Sequence, residues 1–398
     1  MKMHFVLLAG LIFSSCTEPN EDSLNSKYLK LAWKVDLKKI QGFQGFELPL
    51  IDGDRVYFPN GPDVECRNLY NGNLIWKANI TGKERDYTGT NFMVNSSILV
   101  VNDIYSTSAF DKITGVRKWM APDSGIHRSS GTMNTIDENF GYRKIHSDFI
   151  QFDLSTGLTI KEFDVDTGGV RSIMSNMNGV FGSTIATRYG EGGTEIYNFG
   201  ELKKFDPITG NQVFSIRAVP RWFKDGGYGF YPQTITNLFA VPVLLDSVGY
   251  AVFRDGTVFK FRQSDGYLYW KYELPITKYR LDFPDAISVF PDEEKGLVFV
   301  TGGRDNWFCL DMETGKQLYW KRLSEYDGMI DPSSYDGNRY VFKPHTYGQY
   351  EWYIIDITTG EVVEEFDIPD DSILSQDVKN GYVAAFGVGS FYVFKIIR

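Results

Sequence analysis

One turn, written seven times, organises this chain. In "LDMETGKQLYW" (310–320) an alternating strand runs into Asp311, turns at Glu313–Thr314–Gly315 and leaves as a second strand with bulky aromatics. The same sentence stands in "FDKITGVRKW" (110–119), "FDLSTGLTIKEF" (152–163), "FDPITGNQVF" (205–214), "FRQSDGYLYW" (261–270) and "IDITTGEVVEEF" (355–366). A worn copy, "LYNGNLIW" (69–76), precedes them. The turn glycines are Gly72, Gly115, Gly157, Gly210, Gly266, Gly315 and Gly360, with gaps of 43, 42, 53, 56, 49 and 45 residues. A unit of this length buries its apolar face only against its neighbours, so the repeat decides the fold before any motif does.

Several strands in each period of about 40–50 residues are what β-propeller blades produce. In the fifth unit the expected strands are "ITNLFAVPVLL" (235–245), "GYAVF" (249–253), "TVFKF" (257–261) and "YLYWKYEL" (267–274). Asp-Gly and Thr-Gly pairs supply the positive φ that such hairpins require. After Gly360 the chain holds enough residues for three more strands, in "SILSQDVKNGYVAAFGVGSFYVFKIIR" (372–398), and then stops. The missing outer strand stands at the other end: "LKLAWKVDL" (30–38) carries the Trp-Lys pattern of "LYWKYEL", with no strand before it. The expected fold is therefore all-β. It is an eight-bladed β-propeller of four-stranded antiparallel blades over residues 29–398, its ring closed by the N-terminal strand completing the C-terminal blade.

Composition agrees with large buried sheets and excludes some functions. Aromatics make up 16% of the 398 residues, with 24 Tyr and 30 Phe, which suits strands. The net charge of −10 argues against a general nucleic-acid binder, which needs a basic footprint.

The first residues read as an address. "FVLLAGLIF" (5–13) follows Lys2 and precedes "SSC" (14–16); it is too short for a membrane helix and has the form of a secretory signal. Small residues ending in one Cys resemble the lipobox of bacterial lipoproteins, although Phe13 sits where Leu is usual. The resemblance implies residues 1–15 as a signal peptide, lipidation of Cys16 and an exported product held at the outer membrane only through its lipid. An ordinary signal peptide would leave Cys16 incidental. Residues 16–28, with "TEPNEDSLNSK" (17–27), read as a flexible tether. Glu18, Glu21 and Asp22 are similar to surface-export signals of Bacteroides-type lipoproteins.

The turn units resemble PQQ-like (quinoprotein-type) repeats, whose core reads roughly aromatic–Ala–Leu–Asp–x–x–Thr–Gly–Lys–x–x–Trp. Residues 310–320 and 261–270 are close copies, 110–119 is good and 69–76 partial. Trp76, Trp119 and Trp270 fall four residues after the glycine, and Trp320 five. These Trp residues are expected to dock one blade on the next, with aliphatic or Phe substitutes after Gly157, Gly210 and Gly360. The family includes dehydrogenases that hold a quinone and calcium, and the propeller lipoprotein of the β-barrel assembly machinery. This chain lacks the adjacent cysteines common in the enzymes, and "IDGDR" (51–55) and "YDGNR" (335–339) read as hairpin turns rather than calcium loops. No cofactor is expected. Cys66 and Cys309 each stand six residues before a turn glycine, in equivalent slots of distant units, and are expected to be buried, unpaired and inert. His127, His146 and His345 show no metal-ligand spacing.

Two insertions lengthen the units around Gly210 and Gly266. "YGEGGTEIYNFG" (189–200) falls between the second and third strands of one blade, and "PRWFKDGGYGFYPQ" (220–233) between that blade and the next. In an up-and-down blade these connections share a face. They bring together Tyr189, Tyr197, Arg221, Trp222, Phe223, Tyr228, Phe230 and Tyr231, either as a recognition rim for protein or sugar rings or as a plug for the channel mouth. Three functions follow. The first is a monomeric, non-catalytic scaffold lipoprotein binding a protein partner. The second is a glycan-binding or glycan-processing lipoprotein, and the third a PQQ-dependent dehydrogenase.

Overall fold

Each repeated turn closes a hairpin for a local reason. Asp111 Oδ1 accepts the backbone N–H of Ile113 and Thr114 at 3.1 and 3.0 Å, and the Gly115 N–H bonds back to the Asp111 carbonyl at 2.9 Å. Asp153, Asp206 and Asp311 repeat the arrangement, and Asn68 substitutes for Asp in the first copy. The glycine then takes a φ of +71°, the left-handed region that L side chains avoid. A register shift follows every such turn, as at Ala109/Phe110 and Cys309/Leu310, which is the bulge this hairpin class carries.

The computed structural model describes residues 24–38, 49–80, 91–102, 106–122, 135–145, 148–165, 170–189, 196–217, 242–253, 256–274, 288–302, 306–322, 334–335, 340–344, 351–356, 359–368, 373–387 and 389–397. Among them stand eight four-stranded antiparallel sheets. In chain order, sheets 1 to 7 lie within residues 50–79, 91–122, 135–163, 170–217, 243–273, 288–322 and 334–367, each a simple meander. Sheet 8 takes three strands from residues 373–396 and its fourth from the N-terminal strand Leu29–Asp36. That strand pairs with the last one from Leu29↔Ile396 to Asp36↔Ser390. Among the described residues no helix is long and apolar enough to cross a membrane.

The core is divided among the seams between sheets. Tyr57, Val64, Cys66 and Trp76 of sheet 1 pack on Phe92, Leu99, Val101 and Phe110 of sheet 2. Corresponding clusters join 2 to 3, 3 to 4, 4 to 5, 5 to 6, 6 to 7 and 7 to 8. An eighth cluster joins Phe386, Phe391 and Val393 of sheet 8 to Ile51, Val56 and Phe58 of sheet 1. The stacked rings of Phe58 and Phe391, 3.9 Å apart, lie at its centre.

The structure bears on four expectations in detail. The tether does not run free to residue 28. Leu24 is buried against Ile354 and Phe366, and Ser26 Oγ accepts the N–H of Leu29, because the sheet 7–8 seam needs an apolar lid. Of the expected inner strand 235–245, Val243–Leu245 is a strand, while residues 235–241 lie outside the described residues. Residues 189 and 196–200, half of the first insertion, belong to strands and lengthen a hairpin, while residues 190–195 lie outside the described residues. Trp320 is 41% exposed, and Tyr319 takes the docking slot instead. A one-residue offset in a strand turns the side chain to the other face.

Candidate functional site

The seams are built from one wedge. The ring of Trp76 lies so close to Gly115 that a Cβ there would sit 2.5 Å from Cδ2. Its indole N–H donates to the Lys112 carbonyl at 3.1 Å. Trp33, Trp119 and Trp270 do the same at Gly72, Gly157 and Gly315, donating to Leu69, Leu154 and Met312. In each case the acceptor stands three residues before the glycine. Phe214 fills the equivalent slot at Gly266 and Tyr319 at Gly360.

Polar groups fasten the same seams. Lys204 Nζ donates to the Gln263 carbonyl at 2.8 Å, and Lys260 Nζ to Met312 at 3.1 Å. Burial holds the Lys204 ammonium below the ordinary lysine pKa. Near the turns between first and second strands, Asn380 donates to the Gly53 carbonyl, Asn95 to those of Asp137 and Glu138, and Asn178 to that of Asp246. Lys112 adds an ion pair to Asp52 at 2.8 Å. Cys66 and Cys309 are buried and free, in different seams. Burial pushes the Cys66 thiol up to about 11 and the Cys309 thiol to about 12.

The seam between sheets 3 and 4 departs from this plan. The residue four after Gly157 is Lys161, whose stem comes within 3.3 Å of a Cβ built on Gly210 and whose Nζ donates to the Ile208 carbonyl. A cavity of about 740 Å³ opens there, lined by Ile136, Phe140, Ile160, Lys161, Met177 and Ile208 among others. At its base Gln151 Nε2 donates to the Tyr142 hydroxyl at 3.0 Å. Burial, aided by the Asp137 charge, raises that phenol to about 12. This volume falls within the roughly 300–1,000 Å³ of ordinary ligand sites. Its trace in the sequence is Lys161 of "KEF", at the position where three other units carry Trp76, Trp119 and Trp270.

The expected rim is only partly visible. Strands Gly179–Tyr189 and Ile196–Phe205 pair over ten positions, from Val180↔Phe205 to Tyr189↔Ile196. The flanking strands reach only Thr184 and Glu201, so among the described residues the outer five pairs form a two-stranded ribbon. Tyr189 lies at its end, and Tyr197 pairs with Arg188. The outgoing end of strand Gln212–Arg217 sits opposite Glu201, at the ribbon's base. Arg221, Trp222, Phe223, Tyr228, Phe230 and Tyr231 lie outside the described residues, as do Cys16, His127, His146 and His345.

Comparison with known proteins reaches the same architecture. A family model described as outer membrane protein assembly factor BamB matches residues 22–163. BamB from Moraxella catarrhalis superimposes with a TM-score of 0.65 at 16% identity, covering 92% of this chain and 99% of that one. The chain is a β-propeller of PQQ-like repeats, BamB-like in architecture. A europium-containing methanol dehydrogenase gives a TM-score of 0.64 at 12% identity, covering 92% of this chain and 93% of that one. Quinohemoprotein alcohol dehydrogenase from Comamonas testosteroni gives 0.63 at 11%, covering 95% and 78%. At such identities these likenesses concern the fold alone. No curated protein matches the chain. Among the described residues no group of three His, Cys, Asp or Glu side chains is placed to hold a metal ion.

Proposed function

We propose that this propeller is a monomeric, non-catalytic scaffold lipoprotein of the bacterial outer membrane that binds a protein partner. In this reading residues 1–15 are a signal peptide and Cys16 carries the lipid. Residues 29–398 then form one eight-bladed ring closed by the N-terminal strand. The match to an outer membrane assembly factor over residues 22–163 supports the setting. The eight seam clusters, the last joining sheet 8 to sheet 1, support the closed ring. The observation that carries the scaffold role is how the buried charges are used. Lys203, Lys204 and Lys260 donate to the carbonyls of Val165, Gln263 and Met312, and Glu65 holds Asn60, Arg67 and Lys77. Buried ionic groups engaged in this way fix a framework, and a rigid framework presents loops to a partner.

The test is fractionation and co-purification of the full chain from detergent-solubilised membranes. Cys16→Ala should release the protein from the membrane fraction or block its processing. Trp222→Ala and Tyr228→Ala should weaken partner binding by about 1–4 kcal/mol each. A chain that stays on membranes without Cys16, or a partner that ignores both rim variants, contradicts the anchor or the rim respectively. Saturable binding to polysaccharide with no protein partner would favour the glycan reading, and activity after reconstitution with calcium and quinone would favour the dehydrogenase.

A further inference from the structure

We infer that the seam between sheets 3 and 4 is a receptor for an aromatic side chain presented by the partner protein, with a basic residue beside it. The inference rests on the scaffold reading and adds the chemistry of contact. Four seams show what such a slot accepts. Rings of Trp33, Trp76, Trp119 and Trp270 lie against Gly72, Gly115, Gly157 and Gly315 and donate their indole N–H at 2.7–3.1 Å. The receiving half of that slot is intact at Gly210. Its φ is +81°, its N–H bonds to the Asp206 carbonyl at 2.8 Å, and Asp206 caps Thr209 at 2.6 Å. Only the donor is different. Of the seven turn glycines, Gly210 is the one with no ring atom closer than 3.9 Å.

The first turns beside this seam are also without an asparagine tie. Asparagine amides tie the first turns of sheets 8 and 1, 2 and 3, and 4 and 5. Among the described residues no such bond links the turn at Asp137–Glu138–Asn139 to that at Met177–Asn178. A cavity of about 740 Å³ adjoins the slot along Lys161, Pro207 and Ile208; it exceeds the volume of one indole, so it admits the ring together with neighbouring backbone. Its lips are apolar and in water: Met177 is 94% exposed, Ile208 83% and Ile160 51%. An adaptable Met and aliphatic lips suit a side chain arriving in trans.

Charge completes the specification. Asp137 and Glu138 border the cavity, and the chain's net charge of −10 favours a basic partner. Three of the chain's four Trp wedges, Trp33–Lys34, Trp76–Lys77 and Trp270–Lys271, are aromatic then basic, while Trp119 is followed by Met120. The incoming ring takes the place of the Lys161 stem, a flexible chain that can swing to solvent at small cost.

The experiment measures anisotropy of a labelled Gly-Ser-Trp-Lys-Ser-Gly peptide against the full chain in detergent. Saturable binding is expected, with about tenfold or greater loss when the peptide's Trp becomes Ala. Lys161→Trp should fill the slot in cis, abolish peptide binding and raise the Tm. Met177→Asp, at an exposed turn, should weaken binding about tenfold with the Tm unchanged, and it decides the matter if Lys161→Trp does not fold. Absence of saturable binding, or equal binding by the Ala peptide, by folded Lys161→Trp or by Met177→Asp, overturns the inference. A membrane partner that co-purifies equally with wild type and Lys161→Trp removes the slot and leaves the scaffold standing. Peptide binding with no co-purifying partner does the reverse.

Discussion

Trp33, near the start of the folded chain, donates its indole N–H to the carbonyl of Leu69 at 2.9 Å. The bond crosses from sheet 8 to sheet 1 and repeats the wedge that Trp76 forms between sheets 1 and 2. The strand Leu29–Asp36 therefore serves as the outer strand of sheet 8, and Trp33 fastens the seam between sheets 8 and 1.

Trp33→Ala should cost about 3 kcal/mol, the low end for a large core aromatic because the ring is half-buried. Lys30→Ala on the same strand, exposed beside it, should stay within about 0.5 kcal/mol of wild type. Denaturant unfolding of both variants checks this. Equal stabilities would mean that the strand is held by backbone pairing alone and that the wedge is idle.

Gly115 and Gly53 separate two costs that glycine substitution usually mixes. Both have positive φ, +71° and +59°, but a Cβ at Gly115 would lie 2.5 Å from the Trp76 ring, while nothing lies within 4 Å at Gly53. Gly53→Ala should lose about 1–2 kcal/mol from backbone strain alone. Gly115→Ala should lose clearly more, because the ring must leave its seat and its bond to Lys112. Similar losses would show that the ring has room to move.

Much of this arrangement was legible because the turn is a local device. Asp at its start and Gly at its end set the hairpin without help from the rest of the chain, so spacing alone gave the sheets. The orphan Trp-Lys strand at residues 30–38 pointed to its place in the last sheet, observed as Leu29–Asp36. Facing was less legible: Trp320 and Tyr319 differ by one position, and only the bulge register decides which one docks. The cavity beside Lys161 and Ile208 left only one trace in the sequence, the Lys that stands where a Trp was expected. A missing Trp reads as a weak repeat until the slot around it is seen. The long ribbon of sheet 4 was hidden because turn counting measures connections and not how far two strands remain paired.

Cys66 and Cys309 should be unreactive in the native protein. Burial raises both thiols, to about 11 and about 12, and a thiol rather than a thiolate is a poor nucleophile. In a Cys16→Ala background, a disulfide reagent at mildly alkaline pH should modify neither cysteine until guanidinium unfolds the chain. Rapid native labelling of either one would contradict its burial in the seam.

Carboxylates should give the stability curve two opposing limbs. Hydrogen bonds from the turn hold Asp111, Asp153, Asp206 and Asp311 below the ordinary value of 3.8, with the Thr114 N–H, Ser155 hydroxyl, Thr209 N–H and Thr314 hydroxyl the leading causes. A carboxyl with a lowered folded-state pKa stabilises the fold above its unfolded value, and that contribution is lost as pH falls through the folded value. The Tm should therefore drop as pH falls below about 4, and converting the four to Asn should flatten that limb. Asn68 already caps its turn without titrating. Asp377 has the opposite sign. Burial raises its pKa although Oδ2 accepts the Ile51 N–H at 2.6 Å across the seam between sheets 8 and 1. Its contribution is complete at low pH and is lost as pH rises through the raised value. Asp377→Asn keeps an acceptor for Ile51 without the charge, so it should raise the Tm at neutral pH and leave the acid limb in place. A lower Tm at neutral pH would mean that the seam needs the charged carboxylate, and burial would then not be the dominant effect there.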